Sequence, residues 1–173
     1  MQPDDRTRHE LAEAMLALKQ VEGLRLTPTE NLHVTMKFLG DVSAEQLDDV
    51  IAAGEMAVER IAPFSLQVMG TVYLPNERHP NLLAAEFDKP TMLSLLHEQV
   101  ETMFTEIGMD RERRRFRPHM TLGRFKGKPR GALPRPDLPE DCGFLVRRIV
   151  LMQSQLRPAG PIYTPLKRFD LPG

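Results

Sequence analysis

The sequence has almost no cysteine, no tryptophan and no long apolar run, and these absences exclude several classes of protein. Cys142 is the only cysteine and tryptophan is absent. Neither an internal disulfide nor a cysteine-based metal cage can therefore form. No apolar run approaches the roughly 18 residues that span a bilayer, and the start carries no positive-then-apolar signal pattern. We expect a protein of the reducing cytoplasm that has no membrane partner.

The size and composition are those of a globular protein. The chain has 173 residues, of which 41% are hydrophobic and 27% charged. This length predicts one domain, with room for two small lobes. The balance of apolar and charged residues excludes a disordered chain, but composition alone indicates no function.

Positive charge is concentrated in one stretch of the chain. The formal net charge is −1, from 23 basic and 24 acidic residues. The stretch from Arg111 to Arg130 holds nine basic residues and one acid, so its charge is +8 and the rest of the chain carries −9. Those basic residues are Arg111, Arg113, Arg114, Arg115, Arg117, Arg124, Lys126, Lys128 and Arg130. The stretch either solvates a loop or attracts a polyanion, because clustered cations bind phosphates whatever the overall charge.

The hydrophobic pattern predicts an antiparallel α+β fold. Helical spacing predicts helices over 4–20, from the Ser43–Gln46 capping box to residue 61, and from Pro90 to Gly108. Alternation predicts strands over 32–38, 64–68, 81–87, 119–125, 145–156 and 163–171. The prolines and glycines of 126–141 predict a loop. Strands outnumber helices and several links have hairpin length, which favours an antiparallel sheet.

Two of the predicted strands carry the same His-x-Thr pattern. Motif 1 is residues 33–36 (His-Val-Thr-Met), and motif 2 is residues 119–122 (His-Met-Thr-Leu). In a strand, positions i and i+2 project from the same face, so each motif presents an imidazole beside a hydroxyl. The residue between them is apolar and points toward a core. A single such pattern is common by chance, but two in separate halves of one chain indicate a shared site.

The paired motifs suit the cleavage of a phosphodiester. One neutral histidine can take a proton from water while a protonated histidine gives one to the leaving oxygen, and an unperturbed pKa of about 6.5 allows both roles. Two threonines can donate to the non-bridging oxygens. The predicted site is His33, His119, Thr35 and Thr121. This chemistry requires no cofactor and no metal, and no pair of histidines has the spacing typical of metal ligands.

Further cations flank the two motifs. Because positions two residues apart in a strand share a face, Lys37 is predicted on the face of His33, and Arg117 on the face of His119. Both are candidate phosphate contacts, although they could equally solvate the strand ends. Arg124 has the opposite parity, so we expect it to reach the site only at the strand end. His97 is predicted to lie in a helix beside its apolar stripe and to be packed or exposed rather than part of the site. His9 is predicted to face solvent, and Cys142 to be structural rather than a nucleophile.

The two motifs resemble the signature motifs of the 2H phosphoesterases. The resemblance is carried by Asn31-Leu-His-Val-Thr-Met-Lys-Phe-Leu-Gly-Asp41 and Arg117-Pro-His-Met-Thr-Leu-Gly-Arg-Phe125. It extends to 70–75, which contains Tyr73, another candidate substrate contact, and to 151–156 and 160–163. The similar branch is the RNA 2′,3′-cyclic phosphodiesterases, also called 2′-5′ RNA ligases.

The resemblance implies a fold and an activity. The expected fold is one bilobal domain over 1–173, with two pseudo-symmetric lobes, each an antiparallel sheet with helices outside, and a cleft between them. The implied reaction opens a terminal RNA 2′,3′-cyclic phosphate to a 2′-phosphate. In it, His33 is the proton donor to the leaving oxygen, His119 is the base that activates water, and Thr35 and Thr121 hold the phosphate. The implied partners are RNA ends or small cyclic nucleotides, bound by a monomer.

One departure from the family pattern concerns the start of the chain. Family members begin with a short apolar strand, whereas this chain begins Met1-Gln-Pro-Asp. We therefore expect that strand to be absent, either because the start was placed too late or because the strand is lost, with a gap or an exposed edge in a sheet.

Other functions are compatible with the same motifs. A 2′-5′ RNA ligase, or a phosphodiesterase acting on other 2′-linked or small cyclic nucleotides, would use the same four residues on a different substrate. An RNA-end-binding module with impaired catalysis would bind RNA in a salt-sensitive way without turnover.

Overall fold

A computed structural model describes residues 1–129, 133–158 and 160–173. Its helices are α1 (Asp5–Leu16), α2 (Leu47–Val58) and α3 (Thr91–Glu106). Its strands are β1 (Leu24–Leu26), β2 (Phe64–Leu74), β3 (Leu82–Phe87), β4 (His119–Phe125), β5 (Gly143–Val146), β6 (Arg148–Gln155) and β7 (Ile162–Asp170). The predicted α+β class is confirmed. None of the described helices is long and apolar enough to cross a membrane.

All strand pairings in the described chain are antiparallel. The larger sheet has five strands in the order β1-β4-β3-β2-β5, and the smaller sheet pairs β6 with β7. Strand β4, which carries motif 2, is therefore an inner strand of the larger sheet. A single hydrophobic core joins the two sheets, since it contains both Leu83 of β3 and Phe169 of β7.

The helices pack where their apolar stripes predict. In α3, Leu93, Leu96, Val100 and Phe104 are buried. Helix α2 packs against α3 and against β7. The absence of a side chain at Gly54 of α2 lets the Phe169 ring approach, because a Cβ there would lie 2.5 Å from the ring's Cζ. Gly108, with a φ of +87°, ends the segment after α3 as its sequence position predicts.

The strand predicted over 32–38 is largely wrong. Only Val34 forms a β-bridge in this segment. Burial alternates through Leu32, His33, Val34 and Thr35, but the pattern fails beyond Met36. The Lys37 side chain turns inward and is only 5% exposed, whereas Phe38, predicted on the apolar face, is 83% exposed. The pairing partner of Lys37, described below, gives the reason.

Other element boundaries differ from the prediction in smaller ways. The strand predicted over 145–156 is two strands, β5 and β6, interrupted at Arg147. Strand β1 was not predicted, since three residues are too few to show a period. Of the loop predicted over 126–141, the described part has neither helix nor strand, and residues 130–132 lie outside the described residues.

Close approach of two strands requires glycine at position 143. A Cβ at Gly143 of β5 would lie 2.5 Å from the main-chain oxygen of Leu66 in β2. Real side chains do not approach a backbone oxygen so closely, so the β2–β5 pairing would have to shift.

We therefore expect Gly143→Ala to lower the free energy of unfolding by about 1–3 kcal/mol, the usual cost of overpacking. Urea denaturation measures it. The control is Leu145→Ala on the same strand, where the side chain is 42% exposed. Equal stability of the two variants would show that the sheet tolerates a side chain at position 143.

Candidate active site

The two motifs are joined through their middle residues. Val34 and Met120 form an antiparallel bridge, and both are fully buried. The N–H and C=O of Val34 bond instead to the main chain of Met1, each at 2.8 Å. The bridge is thus of the non-hydrogen-bonded kind, in which facing side chains lie closest. The gap in the sheet that we expected from the absent first strand is not found at Val34, because Met1 bonds to the main chain on that side.

This register assembles the four predicted residues on one face. In an antiparallel pair, the positions on either side of a bridge also face each other. His33 therefore lies opposite Thr121, and Thr35 lies opposite His119. Val34 and Met120 point into the core, so all four neighbours point the other way and are partly exposed. The result is a compact quartet with approximate two-fold symmetry.

Both histidines are held by the same local hydrogen bond. Nδ1 of His33 lies 2.6 Å from the main-chain oxygen of Asn31, and Nδ1 of His119 lies 2.8 Å from that of Arg117. A carbonyl oxygen can only accept, so Nδ1 is the protonated nitrogen in each ring. Nε2 is left as the nitrogen that can take or give a proton. The sequence pattern did not indicate this hydrogen bond, whose acceptor in both motifs is the main-chain oxygen two positions before the histidine.

The environment distinguishes His33 from its counterpart. Burial lowers the pKa of His33 below its usual 6.5, while the hydrogen bond that its Nδ1 donates to Asn31 raises it. The positive charges of His119 and Arg124 lower the pKa further. The Tyr163 ring of β7 contacts the imidazole edge-on, with 4.9 Å between centroids. Tyr163 was not among the predicted site residues, and β7 thus forms a wall of the site.

Arg124 lies on the site face, contrary to the parity argument. The pairing of β3 with β4 changes register between Leu83 and Ala84, so that β4 holds one extra residue there. Leu122 and Gly123 are consequently both buried in succession, and the alternation reverses beyond them. Arg124 is exposed on the same side as Thr121, near enough to His33 for its charge to lower that pKa.

Lys37 does not lie where the parity argument placed it. Its ammonium is 2.9 Å from a carboxylate oxygen of Glu101 and 2.8 Å from the main-chain oxygen of Asp110. Both side chains of the ion pair are buried, with exposures of 5% and 2%. A cation neutralised inside the protein is a poor phosphate ligand, so the structure gives Lys37 a structural role.

Glu101, like Tyr163, was not predicted from the sequence. It lies on the buried side of α3, and the same carboxylate oxygen that contacts Lys37 accepts the main-chain N–H of Glu112 at 3.0 Å. Its other oxygen lies 4.0 Å from Nε2 of His97, whose ring stacks on Phe116 as predicted for a packed histidine. The available signal was a glutamate within the apolar stripe of α3. Glu101 ties the end of motif 1 to the segment that leads into motif 2.

Arg117 and Tyr73, the other two candidate substrate contacts, both have partners within the protein. Arg117 is exposed, but its guanidinium is paired with Glu86 at 2.5 Å. Tyr73 is only 2% exposed and its hydroxyl donates to the main-chain oxygen of Pro134, so it is part of the core rather than of the site surface. His9 faces solvent beside Glu13, as predicted.

The sequence led to predictions about both Cys142 and the grouping of metal-ligating side chains. Burial raises the pKa of the Cys142 thiol to about 12, in keeping with its predicted structural role. Among the described residues, no group of three or more His, Cys, Asp or Glu side chains could hold a metal ion.

Comparisons with known proteins identify the family to which the chain belongs. The family model of the LigT-like phosphoesterases matches residues 2–84. An RNA 2′,3′-cyclic phosphodiesterase of Thermus thermophilus is 33% identical over 180 residues, covering 98% of this chain and 86% of the relative. One from Methanothermobacter thermautotrophicus is 31% identical over 178 residues, covering 97% and 94%. The crystal structure of TT0787 from Thermus thermophilus has a TM-score of 0.87 and 32% identity, covering 97% of this chain and 93% of that one. The chain belongs to the RNA 2′,3′-cyclic phosphodiesterase family of 2H phosphoesterases.

The buried Lys37–Glu101 pair leads to a stability prediction. Lys37→Met leaves a carboxylate buried and unpaired, which is expected to lower the free energy of unfolding by about 3–5 kcal/mol. The double variant Lys37→Met/Glu101→Leu buries no unpaired charge and is expected to recover part of that loss. Urea denaturation at neutral pH measures both.

The matched control is the exposed pair between Lys167 and Glu55, at 2.6 Å. Lys167→Met should cost no more than about 1 kcal/mol, because exposed ion pairs contribute little. If Lys37→Met were no more costly than this control, the buried pair would not be holding the two segments together.

Proposed function

We propose that this protein hydrolyses the 2′,3′-cyclic phosphate at the end of an RNA to a 2′-phosphate, without a metal ion. The observation that carries the proposal is the quartet around the Val34–Met120 bridge. It places two imidazoles, each with Nδ1 held by a carbonyl, on one face with two hydroxyls. The relatives that match nearly all of this chain are named RNA 2′,3′-cyclic phosphodiesterases, which supports the same substrate for this protein.

The reaction needs one base and one acid on opposite sides of the phosphorus. Nε2 of His119 takes a proton from water, and the water oxygen forms a bond to phosphorus. The bond from phosphorus to the 3′ oxygen breaks, and Nε2 of His33 gives its proton to that oxygen. The assignment of base to His119 and acid to His33 follows the family resemblance.

The threonines and Arg124 act on the charge of the phosphate. The hydroxyls of Thr35 and Thr121 donate to the two non-bridging oxygens, where negative charge accumulates in the transition state. Arg124 adds a guanidinium at the end of the site where His33 lies. Loss of one such preorganised donor lowers kcat by about 10²–10³-fold in other enzymes.

The lowered pKa of His33 gives the substrate a second role. A general acid must carry a proton, yet burial favours the neutral ring in the unliganded protein. The negative charge of a bound phosphodiester favours the imidazolium and raises the pKa again. Substrate binding thus prepares His33 as the acid.

The central test removes each histidine separately. His33→Ala and His119→Ala are each expected to lower the rate of cyclic phosphate opening by about 10²–10⁴-fold, since each removes one proton-transfer step. Phosphorus NMR of a short RNA ending in a 2′,3′-cyclic phosphate, with excess EDTA, shows the product directly.

His9→Ala, which changes an exposed histidine on α1, is the control and should leave the rate unchanged. Full activity of either site variant would exclude the proposed mechanism. A 3′-phosphate, or loss of all activity in EDTA, would also contradict the proposal.

The pKa of His33 can be measured by proton NMR. In the absence of phosphate, its ring protons are expected to titrate with a midpoint below 6.5, because burial disfavours the charged ring. Added inorganic phosphate is expected to move the midpoint upward. His33→Gln assigns the resonance by its disappearance. A midpoint at or above 6.5 in the phosphate-free protein would contradict this account of the site.

A further inference from the structure

The arginine loop, residues 111–115, carries charges that the proposed chemistry does not use. Its side chains are exposed. Arg111 is paired with Glu98, and the one acid of the loop, Glu112, accepts the main-chain N–H of Arg114 at 2.9 Å. In the part of the chain that the structure describes, no ion pair is formed by Arg113, Arg114 or Arg115. Three guanidinium groups are therefore presented together to solvent.

The loop is anchored at both ends on α3. At its start, Lys37 donates to the oxygen of Asp110, and Glu101 accepts from the N–H of Glu112. At its end, the Phe116 ring stacks on His97 with 4.2 Å between centroids. A buried ion pair and a stacked aromatic pair thus fix a short loop of like charges. Such a loop opposes its own folding unless something fixes it, since like charges repel.

The position of the loop relative to the site follows from the register. Thr35 lies opposite His119 across the central bridge, and Lys37, two residues after Thr35, donates to the main-chain oxygen of Asp110 just before the loop. The loop therefore lies at the Thr35–His119 end of the quartet. Arg124 lies at the His33 end, so the two groups of cations lie at opposite ends of the quartet.

From this placement we infer that the arginine loop binds backbone phosphates of the RNA beyond its terminal nucleotide. The inference rests on the proposed function and adds that the preferred substrate is an oligonucleotide rather than a mononucleotide. Each additional nucleotide brings one phosphate, and guanidinium groups bind phosphates without reading the bases. If the loop bound an acidic protein segment instead of RNA, nothing would require the loop to lie at one end of the quartet.

The test compares two substrates on a triple variant. Arg113→Gln/Arg114→Gln/Arg115→Gln is assayed on a short RNA with a 2′,3′-cyclic end and on a mononucleoside 2′,3′-cyclic phosphate. We expect kcat/KM on the RNA to fall about ten- to a hundredfold at low salt, while the mononucleotide is hydrolysed as before. The dependence of log(kcat/KM) on log[salt] for the RNA should become shallower by about 2, from three contacts at about 0.7 each.

The matched control removes the same charge elsewhere. Lys19→Gln/Arg60→Gln/Arg147→Gln changes three exposed cations outside the motifs and the loop, and it should affect the RNA much less. Equal losses in the two triple variants would overturn the inference, because net charge would then be the cause. An unchanged RNA rate in the loop variant would overturn it as well. If the unmodified protein hydrolysed neither substrate, the proposed function itself would fail.

Discussion

The site depends on one contact, the bridge between Val34 and Met120. Each motif supplies only half of the proposed site, an imidazole and a hydroxyl. The bridge sets the two halves antiparallel, and this brings each histidine opposite the threonine of the other motif. The bridging side chains are fully buried, so the core that stabilises the fold also sets the spacing of the reacting groups.

The Lys37–Glu101 pair complements that bridge. The bridge fixes the middles of the two motifs, whereas the ion pair fixes the chain just beyond motif 1 and the loop before motif 2. A buried ion pair is costly to desolvate, and apolar side chains could have filled the space with equal or greater stability. What an apolar pair could not do is hold the main chain of Asp110 and Glu112, because those groups need a donor and an acceptor. The pair therefore acts through the backbone of the arginine loop.

The sequence predicted that the four motif side chains share a face better than it predicted their surroundings. Period-2 alternation around His33 and His119 identified the quartet, since two-residue parity is local. Arg124 was placed on the wrong face because a bulge at 122–123 reverses parity, and a bulge is set by pairing with β3 rather than by local pattern. Lys37 was misplaced for a related reason, since its partner Glu101 lies on α3, 64 residues away. Helices α2 and α3 were predictable from their stripes, whereas the three-residue β1 offers no period to detect.

The asymmetry between the two histidines follows from the surroundings of an otherwise symmetric pair. Both rings have the same Nδ1 contact two residues upstream, so local sequence gives them equal orientation. His33 is packed against Tyr163 of the smaller sheet and lies near the positive charge of Arg124. These features all favour its neutral form. An acid role for His33 is consistent with them only if the substrate supplies the compensating negative charge, and a phosphodiester does. The negative charge of the bound substrate thus raises the pKa of the imidazole that is proposed to protonate its leaving oxygen.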